Sequence, residues 1–380
     1  MGEGDIGAVI DTLIFDNGEC YEPDMIHVTG DIYAVAYRAA GTEGRLRSFS
    51  IASNGDIGDP RTGSHIFDAA DGYTPSIIHI YSDIFAIAFS GVGRDGFVVT
   101  VRINADGTIP AGLIDSLEFE TVQCLDPHII HISGDIYAVA YTTSLQDGRV
   151  CTFTISAAGD IAAAVIEKAT WLPTVMLEPE IIHVDGDIYA IAYKGADDDG
   201  YILTLSIDAS GDIGGSAIDT FEFATDFCEK PCIVNVASNI FAISFKGPDS
   251  DGFLTTVSIA NDGNIGAAII DSFEFDASQG VHSDIIHNSQ DVYSIAYTGP
   301  DADGFLITVT IASDGAISEP VIDTLEFDTV KAEYCSLLHV TGDTYAIAYG
   351  DTNDQGKVAS IGIETRFAAP PLHLPLMGIG

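Results

Sequence analysis

The sequence predicts an all-β fold of seven equal sheets, each of four antiparallel strands, set around a common axis. Three observations predict it. The first is a period. The Asp of a recurring "GD" turn falls at Asp31, Asp83, Asp135, Asp187, Asp291 and Asp343, with Asn239 in the remaining slot, a step of 52 residues each time. A loop glycine keeps the same interval at Gly44, Gly96, Gly148, Gly200, Gly252, Gly304 and Gly356. The length of 380 residues alone suggests two or three domains, but a fixed period overrides that prior. The second observation is the chemistry of each unit, which is β-branched and aromatic with no helical periodicity. The third is how the chain ends. The last copy stops at its third strand, "VASIGIETRF" (358–367), and the chain opens with a fourth strand, "DIGAVIDTLIFD" (5–16).

Each unit reads in order as follows. "MIHV" (25–28) and "DIYAVAY" (31–37) flank a tight turn, which is a hairpin signal. A Gly/Asp loop leads to the alternating "RLRSFSIA" (45–52), then to a second turn, "SNGD" (53–56). The fourth strand is clearest in "LIDSLEFE" (113–120). In "DIYAVAY" the residues Tyr33, Val35 and Tyr37 share one face, and Ile32, Ala34 and Ala36 the other. A strand apolar on both faces has to be covered on both, and a bulky face seats on the small face of the next sheet. Radial stacking of such sheets gives a seven-bladed β-propeller, whereas a solenoid calls for atypical capping repeats that are not seen. The expectation is one domain over 1–367. Its blades start near 24, 76, 128, 180, 232, 284 and 336, and segment 5–16 completes blade seven. An apolar, Pro-rich tail covers 368–380.

Composition narrows the partners. With 57 acidic and 14 basic residues the formal charge is −43, which disfavours nucleic acid and anionic membrane surfaces. No stretch has the roughly 18 apolar residues of a membrane span. The opening "MGEGDIG" has neither a basic nor an apolar leader region, so no signal peptide is expected in this chain, and an extracellular or particle-surface location is favoured on the acidic coat. The six cysteines read as free thiols, since Cys20, Cys124 and Cys228 share one repeat position in alternate blades.

Positions that vary between internal copies are free to serve something other than the blade. The most variable stretch joins the fourth strand to the next first strand, around a near-constant Pro. It brings Tyr21, Glu22, Asp24, Tyr73, Asp126, His128, Glu178, Glu180, Lys230, His282, Asp284 and Tyr334 to one rim. The functional reading is a ligand mouth on a seven-fold frame; the plainer one is drift of exposed loop residues. A second set, His27, His79, His131, His183, His287 and His339, recurs once per blade with Asn235 in the fifth. Because Asn235 and Asn239 change together, these histidines are expected to be structural, bonded to Asp31, Asp83, Asp135, Asp187, Asp291 and Asp343. A third set is acidic: "GADDDGY", "GPDSDGF" and "GPDADGF" carry Asp197, Asp199, Asp249, Asp251, Asp301 and Asp303. Two carboxylates on a Gly-permitted turn suit Ca²⁺, while a plain Asp-Gly turn explains the same residues. No nucleophile or dinucleotide motif stands out.

The repeat "IIHxxGDIYAIAYxGPDxDGFLxTVxIAxDGxI…IDTLEFD" resembles the highly repetitive β-propeller proteins of prokaryotes, over about residues 5–367. The resemblance implies an amplified binding or scaffold platform and supplies no catalytic residues. The expected function is therefore non-enzymatic. A protein or glycan partner would bind at the rim, and assembly would run through the tail and the unusual outer strands "TGSHIFD" (62–68) and "IEKATWL" (166–172). Alternatives are a glycan-binding lectin using Tyr21, Tyr73 and Tyr334, or a carbohydrate-active enzyme using rim carboxylates such as Glu178 and Glu180.

Overall fold

A computed structural model describes residues 2–58, 63–173 and 175–365. Five four-stranded antiparallel sheets and one eight-stranded sheet account for the strands. The four-stranded sheets repeat one meander; in repeat five it runs Glu229–Ala237, Ile240–Lys246, Gly252–Ser258 and Asp271–Asp276. The eight-stranded sheet is two such units sharing a strand. Ile6–Thr29 pairs through Ile6–Glu19 with Gln355–Ile363, and through Cys20–Thr29 with Ile32–Ala39. The tail 368–380, expected to be an assembly element, lies outside the described residues, as does part of "TGSHIFD".

The two-faced second strand explains how sheets stack. Ala34 and Ala36 of repeat one form a cluster with Phe85, Ile87 and Phe89 of repeat two. Ala86 and Ala88 meet Tyr137, Val139 and Tyr141. The series ends with Ala346 and Ala348 of repeat seven against Tyr33, Val35 and Tyr37 of repeat one. Each buried aromatic removes on the order of 150–250 Å² from water, so these seams supply most of the hydrophobic stabilisation. Small opposite large also fills the seam without voids.

Polar bonds cross the same seams. A hydroxyl on each third strand donates to a glycine carbonyl in a neighbouring repeat, 59 residues on in five of them, as Thr152 Oγ1 does to Gly211 and Thr204 Oγ1 to Gly263, at 2.7 and 2.6 Å. Thr308 Oγ1 donates to the carbonyl of Gly4 at 2.6 Å, and Ser360 Oγ to that of Gly55. The cysteines are all unpaired, with Cys232 alone partly exposed. In repeat three the outer strand is cut to Glu167–Ala169, and Trp171 packs against the cluster holding Leu172 and Met176. The indole thereby serves its own core.

Candidate functional site

The first strands carry the site. Each begins with an irregularity in which two residues oppose one: Tyr21 pairs with Arg38, but Asp24 with Ala36, so Glu22 and Pro23 face Tyr37 alone. The same shift falls between Tyr73 and Ser76, Leu125 and His128, Leu177 and Glu180, and Glu229 and Cys232. It brackets the recurring Pro, whose missing N–H is tolerated at a bulge. The residue before this position, which Pro fills in five copies and Ser283 and Cys335 in the last two, sits in the left-handed region in all seven, from Thr74 at φ 44 to Tyr334 at φ 56. Held there, the residues on both sides of the Pro reach one cavity of about 300 Å³. The triplets belong to the strands and not, as their variability suggested, to the connecting loops.

The residues after the Pro form an inner ring, and each side chain accepts a bond from the next repeat's backbone. Ile77 N donates to Asp24 Oδ2 at 2.7 Å, Ile129 N to Ser76 Oγ at 3.3 Å and Ile181 N to His128 Nδ1 at 3.2 Å. Ile233 N donates to Glu180 Oε1 at 3.3 Å, Leu337 N to Asp284 Oδ2 at 2.7 Å and Met25 N to Ser336 Oγ at 3.1 Å. Cys232 Sγ lies between two carboxyls, 3.6 Å from Glu180 Oε1 and 3.5 Å from Asp284 Oδ1. A thiol has one proton, so it serves one of them at a time. Burial, then a backbone bond that pulls the other way, then the neighbouring Asp284 charge set Asp24, which is pushed up to about 7. Burial and the same neighbour push Glu180 up to about 8, and burial raises Asp284. Burial pulls His128 down to about 4, so its imidazole is neutral and its Nδ1 is free to accept the Ile181 N–H.

The residues before the Pro form an outer ring whose charges are matched. Lys230 Nζ reaches two repeats away to Asp126 Oδ1 at 2.9 Å and stands 4.0 Å from Glu178 Oε1. Burial opposes the Lys230 charge, but those two carboxylates outweigh it and raise its pKa. Glu22 accepts from Thr74 N at 2.9 Å and from Arg38 Nε at 3.5 Å. His282 stacks on Tyr334 with centroids 4.2 Å apart. The Arg38 guanidinium lies 4.1 Å from the Tyr21 ring centroid and 4.9 Å from that of Tyr73, and Arg94 lies 3.5 Å from Tyr73. Sequence reasoning missed these arginines. Arg38 ends a second strand, where Lys194 and Lys246 also stand, and that run of bases was the available signal.

The other sequence-predicted residues lie elsewhere. The six histidines are exposed at the opposite end of the first strands. Their Nε2 atoms donate to the carbonyls of Gly30, Ser82, Gly134, Gly186, Gln290 and Gly342 at 2.8–3.1 Å, not to the turn aspartates. The carbonyl of the turn closes a shorter loop than the carboxylate. Asn235 bonds the same turn through a different carbonyl, its amide donating to Ala237 O at 3.0 Å. Asp83 instead pairs with Arg102, and Asp343 Oδ1 accepts from Thr365 N at 2.9 Å. Asp197, Asp249 and Asp301 occupy left-handed positions in short 3₁₀ turns, and the N–H groups of Asp199, Asp251 and Asp303 cap those turns. Among the described residues no three His, Cys, Asp or Glu side chains are grouped to hold a metal ion. No described helix is long and apolar enough to cross a membrane.

No family model matches this chain, and no curated protein does. Solved structures do. The periplasmic gluconolactonase of Pseudomonas aeruginosa is 14% identical, with a TM-score of 0.60 over 79% of this chain and 84% of that one. An ulvan lyase bound to a glucuronate–rhamnose sulfate unit is 9% identical, TM-score 0.58, covering 93% and 97%. BBS1N in complex with ARL6DN is 8% identical, TM-score 0.53, covering 96% and 98%. At such identities the likeness concerns the fold alone, and it places the chain among propeller-type folds.

Proposed function

We propose that the chain is a closed seven-bladed propeller whose work is recognition: a rigid, non-enzymatic platform that binds its partner at the axial mouth. One observation carries this reading. Seven near-identical backbones, each with the same bulge and the same strained φ, deliver seven different pairs of side chains to one cavity. A frame this regular has no structural need for that variety, and a left-handed backbone held at this position in every copy fits a site better than drift. Closure is supported by the pairing of Ile6–Glu19 with Gln355–Ile363 and by the Met25–Ser336 bond that completes the inner ring. That a similar propeller, BBS1N, is known in complex with a protein agrees with a binding role.

The lectin alternative is weakened by the aromatic faces. Tyr21 and Tyr73 are covered by guanidinium groups and Tyr334 by His282, so they are not open platforms for sugar rings. The enzyme reading has one point in its favour: Glu180, raised to about 8, would hold a proton at neutral pH, as a general acid must. The test is a variant in which the triplets at 126–128, 178–180 and 230–232 are replaced by the Thr-Pro-Ser of repeat two. Ligand libraries of glycans, peptides and small metabolites are screened by thermal shift. Binding that disappears in a variant that stays folded supports the mouth. A ligand held equally by both chains sinks the reading.

A further inference from the structure

The inner ring holds three acids that no cationic side chain among the described residues faces. Asp24, Glu180 and Asp284 come from repeats one, four and six, so they are spread around the axis. Among the described residues none of them has a Lys, Arg or His nitrogen within 4.0 Å. Each spends one oxygen on a backbone N–H, and between them stand neutral side chains: Ser76, His128, Cys232 and Ser336. The outer ring shows what such acids take. There the Lys230 ammonium fills the same need, reaching across two repeats to Asp126.

A second observation points to a missing guest. Two polar atoms on cavity-lining residues, His282 Nδ1 and Thr74 Oγ1, are sealed from solvent and have no hydrogen-bond partner in a ring where others are satisfied. A buried polar atom without a partner costs roughly 1–3 kcal/mol. Thr74 Oγ1 can accept a bond, and so can His282 Nδ1 when the ring carries its proton on Nε2. What they and the three acids lack in common is a positively charged N–H donor.

Resting on the mouth as the binding site, we infer that the cavity receives a primary ammonium group on a slim apolar stem, either a free alkylamine or a lysine side chain of a partner. An ammonium brings three donors and no acceptor. It bonds carboxylates at about 2.8 Å, so it suits a ring too wide for a metal's bonds of about 2 Å. An anionic ligand would find no free cation in the inner ring to pair with.

The test uses the full chain at pH 7.5, with n-butylammonium as probe and n-butanol, butyrate and calcium chloride as controls. Binding is followed by calorimetry and by NMR shifts of mouth residues. Butylammonium is expected to bind and the three controls not to. Glu180→Gln and Asp284→Asn, which keep the backbone bonds, should each weaken binding tenfold or more while the far histidines keep their NMR positions. A peptide with one internal lysine, run beside the free amine, identifies the source: tighter binding of the peptide assigns a protein partner, and tighter binding of the amine a metabolite. Butanol or butyrate binding as well as the amine, calcium displacing it, or carboxamide variants binding it unchanged would overturn the inference. A different ligand lost on triplet replacement would end the ammonium reading and leave mouth recognition standing. If nothing perturbs the mouth, both fall.

Discussion

The two ends of the first strands are built to opposite plans. At one end, six histidines make the same bond to the same turn, Asn235 bonds that turn through the neighbouring carbonyl, and each imidazole packs on the aromatic of its own second strand, with centroids 4.9–5.1 Å apart. At the other end the backbone is equally constant, but the side chains run through acid, hydroxyl, imidazole, thiol and ammonium. Repetition at the first end reflects a local task that every sheet needs. Variety at the second is carried by a frame that does not depend on it, because carboxylate, hydroxyl and imidazole side chains accept the same backbone N–H. The difference separates what the fold requires from what the fold presents.

The comparison can be broken most forcefully by pH. Asp24 and Glu180 are held near 7 and 8 when folded, against about 4 in an unfolded chain. The folded state therefore keeps protons that the unfolded state has lost. Their contribution is complete below pH 4 and disappears as pH rises through 7 to 8. Chemical denaturation should show stability falling across that window by on the order of a few kcal/mol. The Asp24→Asn, Glu180→Gln double variant should flatten the slope, and an unchanged slope would mean that the inner ring is not the source. Next comes Lys230→Met, which leaves Asp126 and Glu178 without their cation. A loss of about 1–2 kcal/mol is expected, moderated by the partial exposure of the pair. At the opposite end His131→Ala should cost about 1 kcal/mol, the value of one hydrogen bond and its ring contact, whereas His131→Asn, copying repeat five, should cost less than half of that. The smallest effect is a gain. Thr74 is β-branched at φ 44, so Thr74→Gly should add about 0.5 kcal/mol in the same denaturation assay.

Much of this architecture is legible in the residues. Period, turns and the two-faced second strand point to stacked four-stranded sheets, because alternation and Gly/Asp turns are local signals. The pairing of Ala86 and Ala88 with Tyr137 and Tyr141 follows from face chemistry alone. The mouth is legible as a set of positions but not as a geometry. Nothing local says that Glu22 and Asp24 flank a bulge and point to one cavity, since residues two apart in a regular strand share a face without this added turn of the chain. Nor can a linear pattern show Lys230 meeting Asp126 at a separation of 104 residues. The histidine–aspartate pairing failed for a plain reason: the partner is a backbone carbonyl of the turn, which has no sequence signature.

All of this requires the chain's opening strand to be locked into its last sheet. Amide hydrogen exchange on residues 9–14 is the direct test. The account predicts protection equal to that of the matched outer strand Asp271–Asp276 in repeat five. Exchange of 9–14 at the rate of an unpaired segment, with 271–276 still protected, would contradict it.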